Sequence, residues 1–406
     1  MVAAIQGGML VCGVRVEFIL FALTLLGVAL LHRRTLEVAV AGLVAVTLHK
    51  VFVAGFPHGP GWSGCLAHVQ GEGVMLLNIL GLLLGFALLA HHFSASHLPA
   101  WLPHLLPAGA PGCFLLLVLV FALSAILDNI AAALIGGTIA ASVFKGRLHT
   151  GYLAALVAAS NAGGAGSVVG DTTTTMLWLG GVSPLSVLHA YVGAGVALVF
   201  FGFFAARQQQ AFHPLTRDVP AGLRIDGARL AIVGLILGAA LVTNLSANLW
   251  LGAQAGRFPW IAGAIWLVIL LTARWRRPHW AALPAAFRGA IFLLALVLAA
   301  SMMPVETLPA ASWRSTLGLG FVSAVFDNIP LTALALKQGG YDWGFLAYAV
   351  GFGGSMVWFG SSAGVALATL YPQARSVGAW LRDGWHVAVA YLLGYGALLA
   401  LLGWQP

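Results

Sequence analysis

The stretch FALSAILDNIAAALIGG (Phe121 to Gly137) sets an aspartate and an asparagine, Asp128-Asn129, inside an otherwise uncharged apolar run. Near the other end of the chain, GLGFVSAVFDNIPLTAL (Gly318 to Leu334) repeats this with Asp327-Asn328. Aligned, SAILDNI (124–130) and SAVFDNI (323–329) share Ser, Ala, Asp, Asn and Ile at a constant offset of 199. A Gly/Ser-rich interruption follows in each half: NAGGAGSVVGD (161–171) and GFGGSMVWFGSSAG (351–364). Two motifs recurring in the same order mark an internal repeat. A carboxylate at the centre of an apolar helix costs roughly 2.5–3.5 kcal/mol or more. A duplicated one persists when it works on an ion, a proton or a partner.

The composition fits that reading. The chain has 406 residues, 61% hydrophobic and 7% charged, against about 25% charged in a soluble domain. Apolar stretches of membrane-spanning length recur throughout, so an all-α polytopic membrane protein is expected. Residues 1–31 lack a basic start, and Arg33-Arg34 follow the apolar run, which does not suit a cleaved signal peptide. The net charge of +8 lies between apolar segments, the pattern of loops facing anionic lipid and not of a nucleic-acid surface. Cys12, Cys65 and Cys113 show no metal-ligand spacing, and an odd count is poor ground for a disulfide framework. His91, His92, His97 and His104 are read as polar residues of a proline-containing connection ahead of a metal site.

Crossings are expected near 16–31, 36–54 and 72–92, then the interrupted regions 113–144 and 150–182, and a crossing at 185–206. A basic linker, 207–229, divides the chain into a first repeat (1–206) and a second (230–406). The second half holds 230–250, 258–273, 288–303, the interrupted 315–336 and 343–371, and 385–403. Placing Arg33-Arg34, Lys145 with Arg147, Arg207 to Arg229, Arg274 to Arg277 and Arg375 with Arg382 in the cytoplasm orients the spans. Both ends of 113–144 then share one face, making a re-entrant hairpin with Asp128-Asn129 at its tip. Both ends of 315–336 share the opposite face. Arg314 and Lys337 go against the charge rule. Each half holds five crossings and one hairpin, and the odd number inverts the second copy. This gives two inverted-topology repeats, each with a hairpin and a broken helix, a plan common among secondary transporters.

Backbone that leaves helical geometry at membrane depth must be buried in protein or line a wet cavity, where it supplies oxygen ligands. Asp128 and Asp327 are the central candidates as cation ligands. Asn129, Asn328, Asn161, Asp171, Ser167, Thr172, Thr173, Thr174 and Thr175 add oxygens, as do Ser355, Ser361 and Ser362. Hard cations prefer such oxygens, and a carboxyl removed from water can hold either a proton or a cation. The structural alternatives are specific. Asp171 could simply N-cap the returning half-helix, Asn129 and Asn328 could cap the hairpin helices, and the threonines could bond back to carbonyls.

The segments SAILDNI, SNAGGAGSVVGDTTTTMLW, SAVFDNIPL and GSSAGVAL resemble the signature segments of NhaD-type sodium/proton antiporters, within a superfamily that also holds arsenite and citrate/dicarboxylate carriers. The resemblance covers mainly 113–182 and 315–370. It implies a multi-pass protein of the cell (inner) membrane, a homodimer, and a cation/proton site drawn from Asp128, Asn129, Asn161, Asp171, Thr172, Thr173, Asp327, Asn328, Ser361 and Ser362. No cofactor is implied beyond the transported sodium ion and proton. Such antiporters carry an acidic residue at the end of the span before the first hairpin, where this chain has His91-His92. The chain also starts without an extra leading helix.

Two other functions compete. A sodium- or proton-coupled carboxylate transporter would want N–H and hydroxyl donors at the tips. The related carriers resemble this plan with Ser-Asn-Thr there, where this chain has Asp-Asn-Ile twice. An intramembrane aspartyl protease would pair two aspartates, but its motif wants Gly-x-Gly-Asp where residues 168–171 are Val-Val-Gly-Asp. Its motif order is reversed here, and it leaves the repeat unexplained. The expectation is therefore a transporter and not an enzyme: sodium (or lithium) exchanged for protons by alternating access.

Overall fold

The computed structural model describes residues 9–11, 13–31, 34–57, 59–168, 170–215, 224–246, 257–326 and 328–406. Asp327, Arg33, Cys12 and residues 216–223 of the basic linker lie outside the described residues. Beyond a two-residue ladder pairing Leu10 with Arg15, the described chain is built of helices.

The helices that position the site are α1 (Val16–Leu30), α2 (Thr35–His49), α3 (Gly61–Ser94), α4 (Ala110–Ser124), α5 (Asn129–Val143), α6 (Thr150–Ala165), α7 (Thr172–Leu179) and α8 (Ala190–Phe212) in the first half. The second half supplies α9 (Gly227–Ser246), α10 (Trp260–Thr272), α11 (Leu283–Ser301), α12 (Trp313–Ser323), α13 (Asn328–Gln338), α14 (Trp343–Gly353), α15 (Ser362–Leu370) and α16 (Trp385–Leu401). Among the described residues, four helices are long and apolar enough to cross a membrane: Thr35–Ala54, Gly61–Ser94, Pro184–Phe212 and Trp280–Ser301. A fifth forms if Val377–Asp383 and Trp385–Leu401, bent by 59°, count as one span. The chain is an integral, multi-pass, all-α membrane protein.

The crossing expected at 185–206 runs on to Phe212 and that expected at 288–303 begins earlier, at Trp280, but the largest difference is at the third crossing. The third crossing, expected at 72–92, begins at Gly61 and runs 34 residues. At 1.5 Å per residue that is about 51 Å, well beyond a hydrocarbon core of about 30 Å. The helix continues past the membrane edge, which hydropathy alone cannot register. It also takes His91 and His92 into its last turns, so these are helical residues and not part of a loop.

The interrupted regions break where the polar pairs sit. Helices of 15 residues (α4, α5) and 11 residues (α12, α13) reach only about 22 Å and 16 Å, too short to cross a core of about 30 Å. Asp128 ends the first break in extended geometry, and its Oδ1 accepts from the Ile130 N–H at 2.8 Å, capping α5. In the second half Ser312 and Ser315 form a capping box at the start of α12. Ser361 caps α15 by accepting from Gly364 N–H at 3.2 Å.

The pair α8 and α16 gives the frame. They run antiparallel, because Gln208 near the end of α8 donates to the Asp383 carbonyl before α16, while Gly193 near the start of α8 meets Gly394 and Leu398. Both ends of the α4–α5 hairpin lie at one end of this pair. The Cys113 thiol reaches Gln210 Oε1 at 3.8 Å, and the Arg147 carbonyl accepts from Gln209 Nε2 at 3.0 Å. Both ends of α12–α13 lie at the other end. The Tyr395 hydroxyl donates to the Trp313 carbonyl at 2.6 Å, and Gln338 Nε2 donates to the Pro309 carbonyl at 2.7 Å. The two hairpins thus approach from opposite ends and present their turns to the middle.

Packing divides the helices into two groups. Helices α1, α2, α3, α9, α10 and α11 pack on one another, and α4 to α8 pack with α12 to α16. The groups meet mainly where α11 touches α13 and where α3 touches α5 and α7. The hairpin with Asp128 therefore lies on the seam.

Candidate functional site

The hairpin turns are seated against the breaks of α6–α7 and α14–α15 by close backbone approach. A Cβ on Gly170 would collide with the Ser124 carbonyl, and one on Gly360 with the Ala324 carbonyl. Gly170 and Gly360 are related by an offset of 190; Ser124 is the last residue of α4, and Ala324 is the residue that follows α12. Ser167 Oγ adds a hydrogen bond to the Ala125 carbonyl at 2.6 Å, and Ser323 Oγ bonds the Val350 carbonyl at 2.7 Å.

Behind the first turn lies a sealed polar network that joins the two halves. Asn129 Nδ2 donates to Asp171 Oδ1 at 3.1 Å and to Asn161 Oδ1 at 3.2 Å. Asn161 Nδ2 donates in turn to Ser355 Oγ at 2.9 Å and Ser361 Oγ at 3.0 Å. The amide orientations follow from the chemistry. With the Asn129 NH₂ on Asp171 Oδ1 and Asn161 Oδ1, the Asn161 oxygen is used and its NH₂ is left for the two serines, so one set of amide orientations serves the whole chain of bonds. Thr173 Oγ1 donates to the second oxygen of Asp171. Asn161 and Asp171 are 1% and 2% exposed, Ser355 and Ser361 0% and 1%. In so dry a setting each bond is strengthened, and each unmade one is costly. Trp380 Nε1 donates to the Ser355 carbonyl at 3.2 Å and fixes that residue from behind.

Asp128 faces elsewhere. It lines a cavity of about 610 Å³ on the seam, walled by α1, α3, α5, α11 and α15. Among the described residues lining it, only Thr35, His91, Asp128 and Ser362 are polar. Thr35, His91 and Ala282, which stand beside Arg34, His92 and the Arg274–Arg277 segment, mark its mouth on the basic side. Asp128 and Ser362 lie by the hairpin turn and the α15 break. Oδ1 of Asp128 caps α5, the Ala131 N–H also bonds the carboxyl, and Thr172 Oγ1 lies 3.5 Å from Oδ2.

The expected site residues thus fall into two sets. Asp128 and Ser362 line the cavity, with Thr172 beside Asp128, whereas Asn129, Asn161, Asp171, Thr173 and Ser361 gather in the sealed network. The capping alternatives are corrected in detail. Asp171 occupies the N-cap position of α7 but makes no side-chain cap bond, because its carboxylate is engaged by Asn129 and Thr173. Asn129 does not cap α5, because Asp128 does. Thr174 and Thr175 do bond back, to the carbonyls of Ser167, Val168 and Asp171.

The second half is chemically poorer. At the offset of 190, Gly351 stands where Asn161 stands and Ser361 where Asp171 stands. Asn328 is buried, and its Nδ2 finds no partner among the described residues. Among the described residues the buried amide–carboxylate pairing is in the first half, and the serines of the second half complete it. Asp327 lies outside the described residues. Among those described, no three His, Cys, Asp or Glu side chains cluster as a metal site.

At the mouth, Arg276 Nε donates to Asp226 Oδ2 at 2.9 Å, and this bond holds the Asp226 carboxyl below the usual carboxylate range, with help from the Arg229 and Ala228 N–H groups. Arg229 Nη1 lies 3.2 Å from His92 Nδ1. The sequence reading used these arginines to orient the spans and His92 as a connection residue, and it missed their pairing, which spans from α3 to the segments flanking α9 and α10.

A membrane protein with broken helices, a polar network between its halves and one carboxylate at the end of an apolar cavity has the parts of a transporter. No protein-family model matches the chain. The chain is similar to sodium/proton antiporter 2 of Arabidopsis thaliana, with 28% identity over 296 residues, 62% of this chain and 67% of that protein. It is also similar to sodium/proton antiporter 1 of the same plant, 27% identical over 286 residues, 61% of this chain and 48% of that protein. The chain therefore spans about two thirds of one relative and about half of the other.

Proposed function

We propose that this chain is an NhaD-type secondary transporter that exchanges sodium, or lithium, for protons by alternating access across the cell membrane. The observation that carries the reading is Asp128: a carboxyl that caps α5 through Oδ1 and lines a cavity whose remaining wall is almost wholly apolar. The names of the two plant relatives supply the class of exchange.

In this account a proton and a hydrated cation compete for Oδ2 of Asp128. The Ser362 hydroxyl and the Thr172 hydroxyl offer further oxygens as the cation sheds water. Asp327, the counterpart of Asp128 in the repeated motif, supplies the matching acid. Asp171, held by Asn129 and Thr173, serves as an electrostatic partner within the protein and ties hairpin α4–α5 to the breaks in both halves. The two hairpins are re-entrant from opposite membrane faces, the two halves are inverted repeats, and the cavity is the access route from the basic, cytoplasmic side. No Lys or Arg lines the cavity among the described residues, which leaves a carboxylate substrate without a fixed countercharge.

The test is Asp128→Asn and Asp327→Asn in everted membrane vesicles. Each variant is expected to reach the membrane at the wild-type level and to lose sodium-dependent proton movement. Substantial exchange in both would overturn the site.

A further inference from the structure

The cavity contains a second ionisable group besides Asp128. His91, in the last turns of α3, lines the mouth and is exposed, and its ring stacks on that of His279 with centroids 4.7 Å apart and planes 29° apart. His279 lies between α10 and α11, two residues past Arg277 and three before the cavity-lining Ala282. The stack therefore bridges the two elements that frame the entrance. The neighbouring charges are all on the same rim. His92, buried beside His91, faces Arg229, and Asp226 joins Arg229 and Arg276. Asp226 is occupied by those two guanidinium groups. It leaves the stacked imidazoles without a carboxylate of their own among the described neighbours.

Resting on the exchange reading above, we propose that His91 and His279 form an ionisable gate at the cavity mouth that admits cations when both rings are neutral and repels them when one is protonated. Two imidazolium ions cannot share so close a stack, so one proton suffices to change the sign of the entrance. Burial and the facing His279 ring hold the His91 imidazole below its ordinary value, so it is neutral at alkaline pH and takes its proton in acid. The rim arginines are charged at every pH, so the change in entrance charge comes from the imidazoles. A cation entering the mouth would meet the stack before it meets Asp128. Acidification would then weaken uptake twice, once by proton competition at Asp128 and once by repulsion at the mouth.

The gate can be read without transport. In a chain with Cys12, Cys65 and Cys113 replaced by Ser, Ala286→Cys places a thiol in the cavity wall. Its labelling rates by a trimethylammonium-ethyl and by a neutral hydroxyethyl methanethiosulfonate are measured from pH 8 to pH 5.5. The ratio of the two rates cancels the thiol's own ionisation. It is expected to fall at least threefold on acidification with both histidines present, to stay flat in His91→Gln/His279→Gln, and to be low already at pH 8 in His91→Lys. A flat ratio with the histidines present, or an equal fall in the double glutamine variant, overturns the gate. In everted vesicles the double variant should also lower the apparent KM for sodium at pH 6 by about threefold or more, with the pH 8 value within twofold. An intact labelling gate in a protein showing no sodium-dependent proton movement would contradict the exchange reading and leave the gate standing.

Discussion

Asp128 does two jobs with two oxygens, and substitutions can separate them. Asparagine is as good an N-cap as aspartate, so Asp128→Asn keeps the bond to Ile130 N–H and removes the charge. Its thermal stability in detergent should match the parent while exchange is lost. Asp128→Ala removes the cap as well and should cost a further ~1 kcal/mol, seen as a lower melting temperature. Asn161 is the opposite kind of residue. Its amide is bonded to Asn129, Ser355 and Ser361 with almost no exposure. Asn161→Ala strands those partners and should destabilise by about 1–3 kcal/mol, measured by thermal unfolding in detergent. An unchanged melting temperature would mean that the network does not hold the halves together.

Element by element, the hairpins are held where backbone meets backbone. Gly170→Ala and Gly360→Ala should each cost about 1–3 kcal/mol by overpacking, because the new methyl meets a carbonyl in the facing turn. Gly318→Ala, on α12 in open space, is the control and should be neutral or gain up to about 1 kcal/mol. Equal effects at all three positions would remove the close-approach account. The breaks themselves were readable in the sequence, because a polar pair in an apolar run and a glycine cluster each disrupt a periodic pattern at a definite residue. The helices α5 and α13 begin at the Asn of each DNI motif. What the sequence could not show was which polar group satisfies which. Asp128 and Asn129 are adjacent, yet one faces the cavity and the other the sealed network. Asp171 looks like a cap and is instead held by an amide 42 residues away. His91 belongs to the mouth only because α3 runs on to meet a loop from the second half. Those assignments depend on contacts between helices far apart in the chain, which local patterns do not encode.

Across the whole molecule, the two helix groups meet along a seam that holds both the cavity and Asp128. The basic rim ties them at one end. The Asp226 N–H donates to the Ser96 carbonyl at 2.9 Å, while its carboxylate pairs with Arg276. Because Arg276 lowers the Asp226 carboxyl in the folded protein, this pair contributes stability at neutral pH. That contribution is fully present above the unfolded value of about 3.9 and disappears as pH falls through the lower folded value. The melting temperature of Asp226→Asn should therefore lie below the parent's at pH 7, with the gap closing at acid pH and in high salt. A gap that persists at pH 2 would assign the effect to packing.

The central claim is that the cavity carboxylate trades a proton for an alkali cation. The most direct measurement reconstitutes the purified protein in liposomes with a trapped pH dye and adds sodium, lithium, potassium and citrate in turn, the last with an impermeant cation. The account predicts a pH change driven by sodium or lithium, absent with citrate, and abolished by Asp128→Asn. A response that requires citrate and survives in Asp128→Asn would contradict it, and would make the chain an anion carrier that shares only the fold.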